Sequence, residues 1–90
     1  MIKHNNYFEG NVQSLGFTQN NNDMTVGVMM AGDHDFGVAT RAEVMKVITG
    51  HLIINGKQCC PTDEQPCLIK EGSKINISTS ETSSYLCSYK

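Results

Sequence analysis

The chain has 90 residues, 39% of them hydrophobic and 18% charged, with a formal net charge of −2. That length makes one domain, residues 1–90, and a chain of this size buries only roughly 60–65% of its unfolded surface, so its core is thin. The charge balance excludes a disordered polyelectrolyte and a basic nucleic-acid binder, and favours a small or neutral ligand over a polyanion.

No apolar run approaches the roughly 20 residues of a membrane span. The opening Met1-Ile2-Lys3-His4-Asn5-Asn6 has no signal-peptide core. The expectation is a cytoplasmic protein with no membrane partner. Four cysteines in 90 residues fall below the density of a disulfide scaffold, and in a reducing compartment they are expected as thiols.

In chain order, Asn11 to Thr18 reads as a strand with glycine marking a bend or bulge. Gln19 to Asp23 is polar and reads as a loop or hairpin tip. Met24 to Met30 is the next strand, with Met24, Val26, Val28 and Met30 on one face and Thr25, Gly27 and Met29 on the other. Ala31-Gly32-Asp33 turns the chain, after which His34, Phe36 and Val38 point one way. Ala39 to Ala42 is a short connector carrying Arg41. Thr40 to Val47 is the one candidate helix, and its β-branched end limits it to a single turn.

Glu43 to Gly50 reads more strongly as a strand. Apolar or β-branched residues fall on both of its faces, which suits a strand buried inside a closed sheet with Glu43 at the mouth. Gly50 lets the chain bend or pass close to another backbone. His51 to Ile54 resumes the strand, and Asn55-Gly56 favours a tight hairpin turn. Lys57-Gln58-Cys59-Cys60 leads into a loop over Pro61 to Pro66. Cys67 to Lys70 is a short strand, Glu71-Gly72-Ser73 a turn, and Lys74 to Ser78 a strand with Ile75 and Ile77 inward. Thr79 to Ser83 is polar. The last strand, Ser84 to Tyr89, sets Tyr85, Cys87 and Tyr89 against Leu86 and Ser88. About eight or nine short strands separated by turn signals make an all-β sandwich or barrel.

Laid out in this way, the chain resembles the pyrimidine/purine nucleoside phosphorylases, a family of small single-domain bacterial cupins. The matching letters are Tyr7-Phe8, Gly10, Val12, Ser14, Gly16-Phe17, Val26-Gly27-Val28-Met29, Gly32 and Phe36. They continue through Glu43, Met45, Val47 to Gly50 and Glu71-Gly72-Ser73 to the ending Ser84-Tyr85-Leu86-Cys87 with Tyr89. The resemblance implies a cupin-type double-stranded β-helix, a jelly-roll barrel that is usually a homodimer. It also implies phosphorolysis: nucleoside and inorganic phosphate give free base and pentose 1-phosphate, with broad base tolerance and phosphate as co-substrate in place of a cofactor. Two segments depart from the family pattern. The stretch between Cys59 and Cys67 is longer and lacks the aromatic residue expected after it, and the chain has no Trp. Ser78 to Ser83 is shorter, where a Pro-Gly turn and a further strand are expected; losing a strand would open an edge or remove a wall of the pocket.

Such chemistry passes through an oxocarbenium-like transition state, by analogy with glycoside hydrolysis. It needs a phosphate ligand, a proton donor for the departing base and contacts to the sugar. Arg41 is the phosphate candidate, because its planar fork suits that anion. Glu43 is a candidate acid or sugar ligand. His34 is a candidate catalytic proton donor, and His51 a substrate contact. Tyr85 can stack on a base or bond a hydroxyl. The bland readings are a solvated loop arginine, ordinary strand histidines and a core tyrosine. Glu43 stands where metal-binding cupins keep a ligand glutamate. However, the His-x-His pair that precedes it there is represented only by His34, eight residues separate His34 from Glu43, and no histidine follows His51. First-row metals normally take three or four protein ligands, so no metal is expected. The adjacent Cys59-Cys60 splay to opposite sides of a strand and make no zinc pattern with Cys67. The competing reading is a non-catalytic cupin module that binds a small ligand or a protein partner.

Overall fold

The computed structural model describes all residues, Met1–Lys90. Ten strands follow one another: β1 (Lys3–Tyr7), β2 (Val12–Gln19), β3 (Asn22–Met29), β4 (Gly32–Val38), β5 (Glu43–Thr49), β6 (Leu52–Ile54), β7 (Lys57–Cys59), β8 (Cys67–Ile69), β9 (Lys74–Thr79) and β10 (Ser83–Tyr89). One 3-10 turn, Phe8–Gly10, joins β1 to β2. No helix is long and apolar enough to cross a membrane.

The strands form a six-stranded sheet in the order β1-β2-β3-β10-β5-β8 and a four-stranded sheet in the order β4-β9-β6-β7. Every pairing is antiparallel. β10 returns between β3 and β5, and β9 between β4 and β6. The chain therefore winds back and forth between two facing sheets, the expected all-β jelly roll.

Alternation decides what lies between the sheets. Val12, Met29, Met45, Val47, Leu52, Ile54, Ile69, Ile75 and Ile77 are all buried, each inward on its strand because side chains alternate across a pleated sheet. Ile75 and Ile77 face in as their spacing predicts. On β3 the inward face is the one with Thr25, Gly27 and Met29; Val28 and Met30 are exposed.

Several expectations are corrected. Thr40 to Val47 is no helix: β5 begins at Glu43, because Val44, Val47 and Ile48 favour the extended chain. β5 is buried on one face only, since Met45 and Val47 are inside while Lys46 and Ile48 are exposed. The polar run after Thr18 belongs mostly to strands, and the tip is only Asn20 and Asn21, both at positive φ. β1 has no counterpart in the sequence reading, because Lys-His-Asn-Asn-Tyr is an edge strand with no buried residue and so no apolar alternation to detect.

The cysteines are a further correction. Cys59 and Cys67 form a disulfide; Cys60 and Cys87 are free. The bond joins β7, at the edge of the four-stranded sheet, to β8, at the edge of the six-stranded one. Their Cα atoms lie 6.5 Å apart, inside the range a disulfide spans. The compartment argument could not show that these two strand ends meet.

The end of the barrel around Gly50 is tightly closed. Gly50 has φ +77, and a Cβ there would stand 2.9 Å from Ser83 Cβ and 3.1 Å from Ser83 Cα. Only glycine admits both the backbone angle and the approach. The Ser83 hydroxyl accepts the His51 N–H at 3.2 Å and lies 3.1 Å from the Thr79 hydroxyl. Asn55 and Gly56, both at positive φ, make the expected hairpin between β6 and β7.

Candidate functional site

The opposite end of the barrel is open. On β10, alternation sends Tyr85, Cys87 and Tyr89 inward. Register sets Tyr89 beside Glu43, and Cys87 between Met45 on β5 and Thr25 on β3. Together they line a cup of about 220 Å³ whose remaining wall includes Tyr7, Phe36 and Ile77. Phe36 reaches it from the four-stranded sheet, just before a bulge at Gly37 (φ +84) where the Asp35 carboxylate accepts the Gly37 N–H at 2.8 Å. Tyr7 and Phe8 pack edge-on against Phe36, at 5.7 and 5.3 Å between ring centres. The N-terminal strand and its turn thus supply one side of the cup.

Glu43 is half-buried, and its Oε1 accepts the Cys87 thiol hydrogen at 3.4 Å. Burial raises its carboxyl above the ordinary value of 4.5, and the hydrogen bond from Cys87 opposes that rise. Burial first, then the adjacent Glu43, push the Cys87 thiol up to about 12, so Cys87 stays protonated and is a donor, not a nucleophile. Burial likewise pushes the Tyr85 phenol up to about 12 and raises Tyr89, whose hydroxyl lies 3.3 Å from Thr25 Oγ1. At neutral pH the cup therefore presents hydrogen-bond donors around one carboxyl group of raised pKa, an arrangement suited to passing a proton to a bound base.

Arg41 stands outside the cup, in an adjoining depression of about 370 Å³ that Glu43, Thr25, Thr40 and Tyr89 also line. Glu43 is the one carboxylate common to both hollows. The guanidinium sits 5.5 Å over the Tyr89 ring, pairs with Asp23 at 2.8 Å and donates from Nε to the Lys90 carbonyl at 3.4 Å. It is thus held at the mouth, and its planar fork has further N–H groups to offer an anion.

Glu43, Tyr85 and Arg41 are therefore brought to one end of the barrel. His34 and His51 are not: neither lines the cup or its adjoining depression. His34 is buried, its Nε2 donating to the Met30 carbonyl at 2.9 Å and its ring packed on Phe8 at 5.3 Å. Because a carbonyl only accepts, that nitrogen carries the hydrogen. His51 lies near the closed end, with Nδ1 3.4 Å from Glu81 and Nε2 3.5 Å from Ser80. The order Ser–His–Glu is that of a hydrolase triad, but no cavity opens onto it and both contacts are long. No three His, Cys, Asp or Glu side chains converge as a metal-ligand group. Sequence reasoning gave no role to Cys87, Tyr89, Thr25 or Asp23. Cys87 and Tyr89 share the strand parity of Tyr85, which was the available signal for them.

The larger hollow of the molecule, about 510 Å³, is on the outer face of the six-stranded sheet among Leu15, Val26, Val28, Met30 and Ile48. Asn11, Gln13 and Ser84 also line it, but its only ionisable lining residue is His4, so it brings no carboxylate and no arginine or lysine to a ligand.

Residues 2–89 match the family model described as pyrimidine/purine nucleoside phosphorylase. A protein of that name from Pseudomonas syringae pv. syringae is 38% identical over 96 residues, covering 100% of both chains. The crystal structure of a Vibrio parahaemolyticus protein described as of unknown function superposes with a TM-score of 0.85 at 32% identity, covering 100% of this chain and 99% of that one. In this chain the short 78–83 segment is a tight passage, with β9 handing over to β10 through residues 80–82. A cupin-2 domain from Rhodospirillum rubrum, at 12% identity and a TM-score of 0.64, covers 99% of this chain and 69% of that one and shares the fold.

Proposed function

Because this chain belongs to the pyrimidine/purine nucleoside phosphorylase family, we propose that it cleaves purine and pyrimidine nucleosides with inorganic phosphate, releasing free base and pentose 1-phosphate. The base enters the cup against Tyr85, and phosphate takes the depression beside Arg41. The sugar spans the wall between them, where Glu43 stands. A phosphate oxygen forms the new bond to the anomeric carbon as the bond from that carbon to the base nitrogen breaks. The departing electron pair goes to the base, which takes a proton from the Glu43 carboxyl. That carboxyl is reprotonated from solvent after release. Arg41 offsets phosphate charge, and the buried donors of the cup act on the base where water is excluded. Phosphate is the co-substrate, and no metal or organic cofactor takes part.

The observation that carries this reading is the position of Glu43, a carboxyl with raised pKa in the one wall shared by the cup and the Arg41 depression. The test is to incubate purified protein with uridine, adenosine and inosine, with and without phosphate, and to separate the products by chromatography. Phosphate-dependent base release is expected; none from any of the three would overturn the reading.

The working form is a homodimer in the cytoplasm, without a nucleic-acid or membrane partner. Support for the pairing comes from the outer face of the six-stranded sheet, where Leu15, Val28, Met30 and Ile48 are each more than 40% exposed. A rigid face of this kind is apolar enough to seat a second copy. Sedimentation should find a dimer, and Val28→Arg should yield monomers.

A further inference from the structure

Gly27 is buried on the inner face of β3, directly between Ser14 of β2 and Tyr85 of β10 in the ladder. Its φ is not positive, so backbone conformation does not call for glycine. Space does. A Cβ at this position would lie 2.5 Å from both Cζ and the hydroxyl of Tyr85 and 2.8 Å from Cε1. An inward side chain normally stands up from a sheet, but the Tyr85 ring leans sideways over β3 into the place a Cβ would fill. The phenol end of Tyr85 therefore rests on the sheet, and the cup stays open above it. Any side chain at position 27 must push that ring off the sheet and into the cup. Glycine inside a strand is destabilising relative to alanine, a penalty that packing alone leaves unexplained, since alanine with a smaller partner would fill the same layer.

We propose that Gly27 is a specificity-determining residue: by letting Tyr85 lie flat, it sets a cup deep enough for a two-ring purine as well as a one-ring pyrimidine. The inference rests on the placement of the base in the cup given above. With the ring raised, a single-ring base still fits, whereas a fused-ring base meets the phenol. Gly27 touches no substrate atom; it acts through the ring it supports.

Steady-state kcat/KM for phosphorolysis of inosine and of uridine, measured for the natural chain and for Gly27→Ala, tests this, with melting curves to establish that the variant folds. The expected result is a purine-to-pyrimidine ratio lowered by about tenfold or more, the scale on which one methyl group in a pocket discriminates. A folded variant with an unchanged ratio, including one in which both substrates decline together, overturns the proposal. If Gly27→Ala does not fold, a crystal structure of the natural chain with hypoxanthine decides: the base seated in the cup over a Tyr85 ring lying flat on Gly27 supports the proposal, and a base bound elsewhere or a ring raised off Gly27 overturns it. Thermal stabilisation by hypoxanthine and by uracil reads the same depth without turnover: both should stabilise the natural chain, and only uracil the alanine variant. Stabilisation of the natural chain by neither base overturns the proposal. Stabilisation by both, with no phosphate-dependent turnover, sinks only the phosphorylase reading.

Discussion

The two ends of this barrel treat polar side chains in opposite ways. At the closed end, Ser83, Thr79 and the backbone of His51 form a compact hydrogen-bonded knot at 3.1–3.2 Å around a glycine that admits no side chain. At the open end, Glu43, Cys87 and Tyr89 are withdrawn from water with sparse partners, and their pKa values are raised. Satisfied polar groups fix a structure, whereas partly desolvated ones are held ready for a ligand. Stability should therefore reside at the Gly50 end and chemistry at the Glu43 end.

The largest expected effect is on catalysis. Glu43→Gln keeps the shape of the side chain but cannot pass a proton, so kcat/KM for nucleoside phosphorolysis should fall by about 10²–10⁴-fold with the melting temperature maintained. A folded Gln variant with full turnover would dissolve the contrast. The converse probe is Gly50→Val, which sets a β-branched residue at φ +77 against Ser83. Urea unfolding should show a loss of about 2–4 kcal/mol, with turnover per folded molecule unaffected. Arg41→Ala is smaller again: the KM for phosphate should rise by roughly tenfold, and the KM for nucleoside should change little. If both constants rise together, the two hollows do not divide the substrates.

The smallest effect sharpens the comparison through pH. Glu43 has a folded-state pKa raised above 4.5 by burial, so the folded protein holds that proton more tightly than the unfolded chain does. Its contribution to stability is complete below pH 4.5 and is lost as pH rises through the raised value. Melting temperatures of the natural chain and of Glu43→Gln should run parallel in acid, then separate above pH 4.5 in favour of the Gln variant. Curves that stay parallel throughout would show that the carboxyl is not desolvated.

What could be read from the letters follows from what a pleated strand encodes. Parity along a strand gives the face, so the inward Ile75, Ile77, Tyr85 and Cys87 and an all-β sandwich or barrel were legible, whereas the jelly roll itself came from the family resemblance. Parity does not give height along the barrel, which depends on the register between strands. His34 and Tyr85 both face inward, but on β4 it is Phe36, two residues further along, that reaches the cup, while the His34 ring nitrogen is taken by Met30. His51 follows Gly50 at the far end of β5 for the same reason. β1 was invisible because this particular edge strand has no buried residue and so no apolar alternation. The Arg41 partner, Asp23, is 18 positions away, on a strand whose first residues read as loop. The Cys59–Cys67 bond likewise depends on which strand ends meet.

The ion pair at the mouth has a consequence for which anions are admitted. Asp23 already occupies part of the guanidinium that an incoming anion must use, so it is a resident rival, and every guest has to outbid it. A singly charged visitor gains little by evicting a carboxylate of equal charge, whereas a doubly charged one gains more from the same cation. Chloride at physiological concentration should for that reason inhibit poorly, and a titration in which it competed strongly against phosphate would show that the gate does not select by charge.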